Sequence, residues 1–394
     1  MALRQLIRRS LRQAGAGVFH YSGLRSATGL LRRRRVGGRR VLIAGYHRVV
    51  EDLQRELRRS IPAALISTRT FRRQLEAAAA AGYEFATIDE AVNVITGNRE
   101  AKKDLFVLTF DDGYRDIYQH AYPILKSLGI PAILYLPAAM IGTDRRFNHD
   151  RLYHVLSVAA RAGNHASNRL PASALSVLAP VLMGIKTVSR AVDDFIAEQP
   201  SEVLQQTTDA LWNCIGGNSS SESVGAEIMT WDDARRMASD GFQFGAHTLH
   251  HVVLTWEGPM RIEEEIVGSK QLIEGKLGKP VEHFSYCNGW YSEQIVRFLI
   301  RYGFRSAVTT EDLPNRIPGN PFAIKRKILH EDFSIGSTGR YSPALTACHL
   351  DDVFGMFGID RPVIGHRTQR INVTIGTEHR QQAHLEGGNE IRNS

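Results

Sequence analysis

No apolar run in the 394-residue chain approaches the roughly 20 residues a helix needs to cross a bilayer, so no membrane-spanning helix is expected. Cysteine is scarce: Cys214, Cys287 and Cys348 are odd in number and far apart. They supply neither a disulfide framework nor a CxxC metal motif, a usage that suits a reducing compartment. Acid is missing from the start of the chain. Residues 1–50 hold twelve arginines, no lysine and no carboxylate, and the first acid is Glu51. Beyond residue 50 there are 37 basic and 41 acidic side chains, so the net charge of +8 belongs to the leading segment and not to the body. Leu3, Leu6, Ile7 and Leu11 recur at helical spacing among Arg4, Arg8, Arg9 and Arg12. Such a segment can lie on an anionic membrane surface or stay solvated. A secretory signal needs a continuous apolar stretch, which is absent here. The expected location is cytoplasmic or peripheral to a membrane. "LRRRRVGGRR" (Leu31–Arg40) could touch nucleic acid, but no base-reading module follows, so no specific nucleic-acid partner is expected.

What is present from Arg40 onward is an alternation of strand and helix. The short apolar runs Val41–His47, Asp104–Phe110, Pro131–Pro137, Phe242–His247 and Val281–Tyr286 read as strands. Between them, Thr70–Gly82 has a capping threonine and a terminal glycine, and Tyr118–Gly129 is helical with a break at Pro123. Thr230–Gly241 opens with Thr230 and Asp233 at capping-box spacing, and Arg261–Gly278 is a long amphipathic helix. Ser292–Thr310 repeats the helix, glycine, strand step. This order predicts a parallel sheet covered by helices, open or closed into a barrel. Residues 143–229 fit the alternation poorly and read as a helical insertion. The expected organisation is a basic segment over 1–39, a barrel over 40–334 and a C-terminal extension over 335–394, with Thr368–Ser394 as a polar tail. There is no internal repeat.

The polar residues at the predicted strand ends carry the chemistry. In "VLTFDDGY" (Val107–Tyr114) an apolar run stops at two adjacent carboxylates, Asp111 and Asp112. Like charges at the end of a buried strand need compensation. In isolation the pair reads as a helix cap and a solvated acid. Far downstream, "HTLHH" places His247 and His251 four residues apart, on one side if the segment makes a helical turn, with His250 offering an alternative pair. Two imidazoles and one carboxylate make a ligand set for a divalent cation, and the second carboxylate then stands beside the water such an ion activates. Asp, His and His suit hydrolytic zinc and also the facial triad of iron oxygenases; ligand types alone leave both open.

"TFDDGY" followed by "GAHTLHHVVLT" resembles the polysaccharide deacetylases of the NodB-homology type, carbohydrate esterase family 4. "AGYHRV", "TFRRQLEAAAAAGYEFATIDEA", "AYPILKSLGIPAILYLPAAMIG" and "HFSYCNGWYS" follow the order of the branch acting on poly-N-acetylglucosamine, over roughly residues 40–330. The resemblance implies a deformed (β/α) barrel of about seven parallel strands and a divalent metal, zinc foremost, held by Asp112, His247 and His251. It implies Asp111 as general base and His47 as general acid. It also places Asn288 where a backbone N–H helps hold the oxyanion. The implied reaction removes N-acetyl groups from a hexosamine-containing polysaccharide or glycolipid precursor, and the implied partner is that N-acetylated glycan.

Two departures bear on this reading. Cys287 stands where the family usually has proline, and Ser285 where many members carry an arginine that orients the base. Arg326 in "IKRKILH" could replace that arginine, with Lys325 and Lys327 as neighbouring candidates. A glycan-binding protein without turnover and a small-amide hydrolase on the same fold are the alternatives.

Overall fold

A computed structural model describes residues 2–22, 24, 34, 36–162, 170, 172–214 and 226–356. The tail Thr368–Ser394 singled out above lies outside them. The strands are β1 (Val41–Tyr46), β2 (Arg48–Val50), β3 (Leu65–Ser67), β4 (Glu84–Phe85), β5 (Leu105–Phe110), β6 (Ala132–Leu136), β7 (Gln243–Ala246), β8 (His283–Ser285), β9 (Ser306–Val308) and β10 (Lys327–Ile328). One parallel sheet runs in the order β10-β1-β5-β6-β7-β8-β9, with β4 added alongside β5. β1 and β5 pair along their whole length, from Val41 opposite Leu105 to Tyr46 opposite Phe110. Val308 of β9 bridges in parallel to Ile324, three residues before β10, which itself pairs with β1. The sheet therefore curls back towards its own edge, as a deformed barrel. β2 and β3 form a separate parallel pair, and neither they nor β4 were expected from the hydrophobic pattern.

The longest strands, β1, β5 and β6, are almost wholly apolar and buried because both faces are covered, as in other parallel sheets. In β1 the side chains of Val41 and Ile43 join Val107, Ile133, Tyr135, Val308 and Ile324 in the barrel interior. Leu42, Ala44 and Tyr46 alternate to the outer face and pack beneath the helices. Gly45 stands in a crowded position: a Cβ there would lie 2.5 Å from the tip of the Ile328 side chain, which would have to shift, and 3.7 Å, an ordinary contact, from the Arg326 guanidinium carbon.

Local signals explain most helix boundaries. Helix Trp231–Ser239 has the expected capping box, with the Asp233 N–H donating to Thr230 Oγ1 at 3.1 Å and the Thr230 N–H to Asp233 Oδ2 at 2.9 Å. Helix Thr68–Ala80 begins two residues before the expected Thr70, because Ser67 is the cap. Pro123 sits in the first turn of helix Tyr122–Leu128, after a π-helical turn over Ile117–Ala121. Between β6 and β7 come helices Asn148–Ala162, Ala172–Leu182, Val188–Glu198 and Ser201–Cys214. They share a core that includes Leu152, Leu156, Leu178, Val192 and Leu211. Helix Ala2–Tyr21 lies against helix Pro343–Leu350, where Ala16 packs with Leu345 and Cys348.

Candidate metal and catalytic site

The carboxylate pair sits at the C-terminal end of β5 and does face a single site. Asp112 takes the left-handed conformation (φ 72°), followed by Gly113 at φ 69°. The turn starts one residue earlier than the glycine alone would suggest, and it swings Asp112 round beside Asp111. A Cβ on Gly113 would meet Leu136 and Ile141 at 2.9 and 2.8 Å. Both aspartates are 2% exposed.

His247 and His251 converge on Asp112, though by a different route from the helical turn expected. The segment after β7 is a loop in which Thr248 (φ 63°) and His251 (φ 60°) are both left-handed. Asp112 Oδ1 lies 3.5 Å from His247 Nε2 and 3.1 Å from His251 Nε2. His247 Nδ1 donates to the Ser285 carbonyl at 2.7 Å. A carbonyl can only accept, so the proton is fixed on Nδ1 and the Nε2 lone pair is free to bind an ion. His250 does not take part in this convergence: its Nδ1 is 2.8 Å from Glu265 Oε1. Glu265, fully buried, also accepts the Leu249 and His250 N–H groups at 2.8 Å each. It therefore anchors the loop that carries His247 and His251. Sequence reading missed Glu265, yet a signal existed: it shares the buried stripe of its helix with Ile262, Ile266 and Ser269.

Asp111 is held differently. Arg326 Nη1 donates to Asp111 Oδ1 at 2.8 Å and Nη2 to Oδ2 at 2.7 Å. Ser285 Oγ donates to Asp111 Oδ2 at 3.2 Å and accepts from Arg326 Nη2 at 3.0 Å. The guanidinium is itself fixed by the Thr309 carbonyl (2.9 Å) and Thr109 Oγ1 (3.1 Å). Of the three candidate cations, Arg326 is the one inside. Lys325 and Lys327 pair instead with Glu311 and Asp312, as alternation along an extended segment requires.

These surroundings set the charges. Burial alone would raise the Asp111 pKa, but the Arg326 charge and hydrogen bonds, with His247 and His47, hold it below the ordinary carboxylate range. Burial likewise opposes ionisation of Asp112, and His251, His247 and His47 hold it well below that range. His47 follows β1, close enough for its charge to act on both aspartates. Its Nδ1 is buried without a hydrogen-bond partner among the described residues. Asn288 lies in the turn after β8, in the left-handed conformation (φ 57°), with its carbonyl accepting from Thr310 Oγ1 at 3.0 Å.

The helical segment after β6 supplies a wall that sequence reading did not foresee. Tyr114 Oη donates to Asp150 Oδ2 at 2.8 Å and lies 2.9 Å from His149 Nε2. The His149 and His251 rings are 5.5 Å apart, with Phe147 against both. A cleft of about 1130 Å³ opens here, its lining including Phe147, His149, Arg151, Trp212, His251 and Arg261.

A divalent cation fits the donors present. Asp112 Oδ1 is buried and has no hydrogen-bond partner among the described residues, yet it faces two imidazole nitrogens. Nitrogen and oxygen ligands around a tetrahedral zinc stand about 3.3 Å apart, close to the separations found.

A profile for the family described as polysaccharide deacetylase matches residues 98–178 and 185–307, more than half of the chain. A putative polysaccharide deacetylase of Bacillus subtilis (strain 168), YxkH, is 20% identical over 260 residues. That match spans 66% of this chain and 64% of YxkH, just under two thirds of the relative's length. The solved structure of IcaB from Ammonifex degensii shares the fold, with a TM-score of 0.50 at 19% identity, over 80% of this chain and 98% of that one. Streptococcus pyogenes deacetylase PplD, solved with acetate, scores 0.49 at 17% identity, covering 76% and 96%. With the profile spanning both the Asp111–Asp112 turn and the His247–His251 loop, the chain belongs to the polysaccharide deacetylase family.

Proposed function

We propose that this protein is a metal-dependent hydrolase that removes N-acetyl groups from a hexosamine-containing polysaccharide or glycolipid precursor. The observation that carries the proposal is the split between two adjacent carboxylates. Asp112 faces His247 and His251, whereas Asp111 is clamped by Arg326 and Ser285.

Asp112, His247 and His251 would hold the cation, zinc foremost. When bound, it would polarise the acetyl carbonyl and make water a stronger nucleophile. Asp111 takes the proton from the attacking water, its carboxylate aimed by two parallel bonds from Arg326. The backbone N–H of Asn288 stands as the donor for the negative charge developing on the acetyl oxygen. His47 gives its proton to the departing amine. The cleft beside His149 and His251 accommodates the sugar chain, with Phe147 and Trp212 as apolar surfaces for its rings.

Peripheral contact with an anionic membrane belongs to the same reading. Leu11, Val18 and Tyr21 lie exposed along one side of helix Ala2–Tyr21, in a segment without a single acid. Among the described residues no helix is long and apolar enough to cross a membrane. Sedimentation with anionic vesicles, compared with a Leu11→Ser/Val18→Ser variant, tests that part.

The central test is acetate release from a panel of N-acetylated oligosaccharides and lipid-linked sugars, with zinc or cobalt supplied. Folded, metal-loaded protein that releases no acetate from any of them but binds oligosaccharide would favour a non-catalytic glycan-binding role.

A further inference from the structure

His149 stands in the cleft wall with its two ring nitrogens in different surroundings. Tyr114, fully buried, has one hydroxyl proton and donates it to Asp150 Oδ2 at 2.8 Å. Ser60 Oγ donates to the other carboxylate oxygen, Asp150 Oδ1, at 2.5 Å. Tyr114 Oη can then only accept from His149 Nε2, 2.9 Å away, so the imidazole proton sits on Nε2. That leaves the lone pair on Nδ1. Nδ1 has no hydrogen-bond partner among the described residues and, unlike His47 Nδ1, it is not buried. It is therefore open to solvent, in a residue that lines the cleft.

The ring is held in this orientation. Phe147 stacks on it with centroids 5.1 Å apart and planes 13° from parallel, and the His149 side chain is 16% exposed. Flipping the ring would break the bond to Tyr114. Burial lowers the His149 pKa, against the pull of Asp150 and Asp112, so the lone pair persists at neutral pH. The His251 ring is 5.5 Å away, which puts this fixed acceptor beside the proposed ligand set.

We infer that His149 Nδ1 accepts a hydrogen bond from a ring hydroxyl of the hexosamine whose acetamido group is being hydrolysed; the inference rests on the deacetylase reading above. A neutral imidazole nitrogen with a lone pair selects donors. Hydroxyls are the donors a sugar ring has in number, whereas the acetamido N–H belongs to the bond being broken. His149 does not touch the reacting atoms and acts as a specificity-determining residue. Because water can satisfy Nδ1 in the free protein, the contact is worth about 2- to 10-fold in affinity, as for a neutral bond exchanged with solvent.

The test reads binding, using the full zinc-loaded chain with Asp111→Asn so that bound sugar is not consumed. Calorimetry at pH 7.5 gives Kd for an N-acetylglucosamine pentasaccharide and for analogues lacking one hydroxyl position in every ring. The same series is run with His149→Phe added, which keeps an aromatic ring against Phe147 and removes the acceptor. His149→Phe should bind the parent sugar about 2- to 10-fold more weakly. One analogue should lose that same factor with His149 present and bind both proteins equally. His149→Asn, whose amide oxygen falls near the place of Nδ1, should recover part of the discrimination, and it serves equally if phenylalanine disturbs the wall. Analogues that each lose the same factor with and without His149 overturn the inference and leave His149 as a support for Tyr114. The expected pattern without acetate release from the chain carrying Asp111 overturns the deacetylase reading and leaves the sugar contact. Failure of the pentasaccharide to bind overturns the inference, while the acetate-release panel still decides the reading.

Discussion

Arg326 meets Asp111 side-on, through two bonds of 2.8 and 2.7 Å, although 215 residues separate them in the chain. The arginine side chain has no exposure to solvent. Removing it leaves a buried carboxylate without its counter-charge, which costs about 3–5 kcal/mol. Arg326→Met should therefore destabilise the fold by that order in urea titration. Turnover of the folded fraction should fall about 100-fold, because the carboxylate loses its aim. Adding Ser285→Arg to this variant returns a guanidinium from β8, whose Ser285 already contacts Asp111, and should restore part of both properties.

Asp111→Asn and Asp112→Asn should separate cleanly. The first should lower kcat by roughly 10²–10⁴-fold while elemental analysis still finds one metal per chain. The second should lose the metal itself. Parallel loss of metal in both would contradict the division of labour.

Glu265 never approaches the reacting atoms, yet it accepts the N–H groups of Leu249 and His250 and contacts the His250 ring. Glu265→Ala frees the loop that carries His251. Metal affinity, read by competition with a chromogenic chelator, should weaken about 10- to 100-fold. Glu265→Gln keeps an acceptor for the two N–H groups and should fall between the variant and the wild type.

The backbone donor proposed at Asn288 sits in a left-handed conformation (φ 57°). Asn288→Gly preserves both and should leave kcat within a few-fold. Asn288→Val forces a β-branched residue into that region at a cost of roughly 1–2 kcal/mol and should lower kcat with little change in KM. Steady-state acetate release distinguishes the two.

His330 gives a pH prediction outside the proposed ligand set. Burial pushes its pKa down from the ordinary 6.5 to about 4, with Arg12 and His47 adding to the effect and Asp332 opposing it. A folded-state pKa below the unfolded one means that the stabilisation is full above pH 6.5 and is lost as pH falls towards 4. Between pH 7 and pH 5 the wild type should lose on the order of 2 kcal/mol from this group. His330→Gln should lose less by that amount, measured by urea unfolding at the two pH values.

Much of the site was legible because its members come in local patterns. Two adjacent aspartates after an apolar run, and two histidines four apart, could be read directly. How they meet could not. Histidine spacing suggested a helical turn, whereas positive φ at Thr248 and His251 makes the approach, and nothing in their residue types announces it. Arg326 could be named but not separated from Lys325 and Lys327, since choosing among them required knowing which face of the strand looks inward. The long strands were legible from their continuous apolar runs. β2, β3 and β4, with two or three residues each, were too short to show a period. The roles of His149 and Asp150 depend on a contact with Tyr114 that only the tertiary structure creates.

Asp112, Thr248, His251 and Asn288 account for four of the five non-glycine residues with positive φ among the described residues. At each of these positions glycine is the residue the backbone would tolerate best. At Asp112 and His251, glycine would also delete a proposed metal ligand. Relaxing the backbone and keeping the chemistry are therefore incompatible goals at those two positions. Attempts to make this protein more robust by easing its turns should succeed elsewhere on the barrel and fail at its mouth.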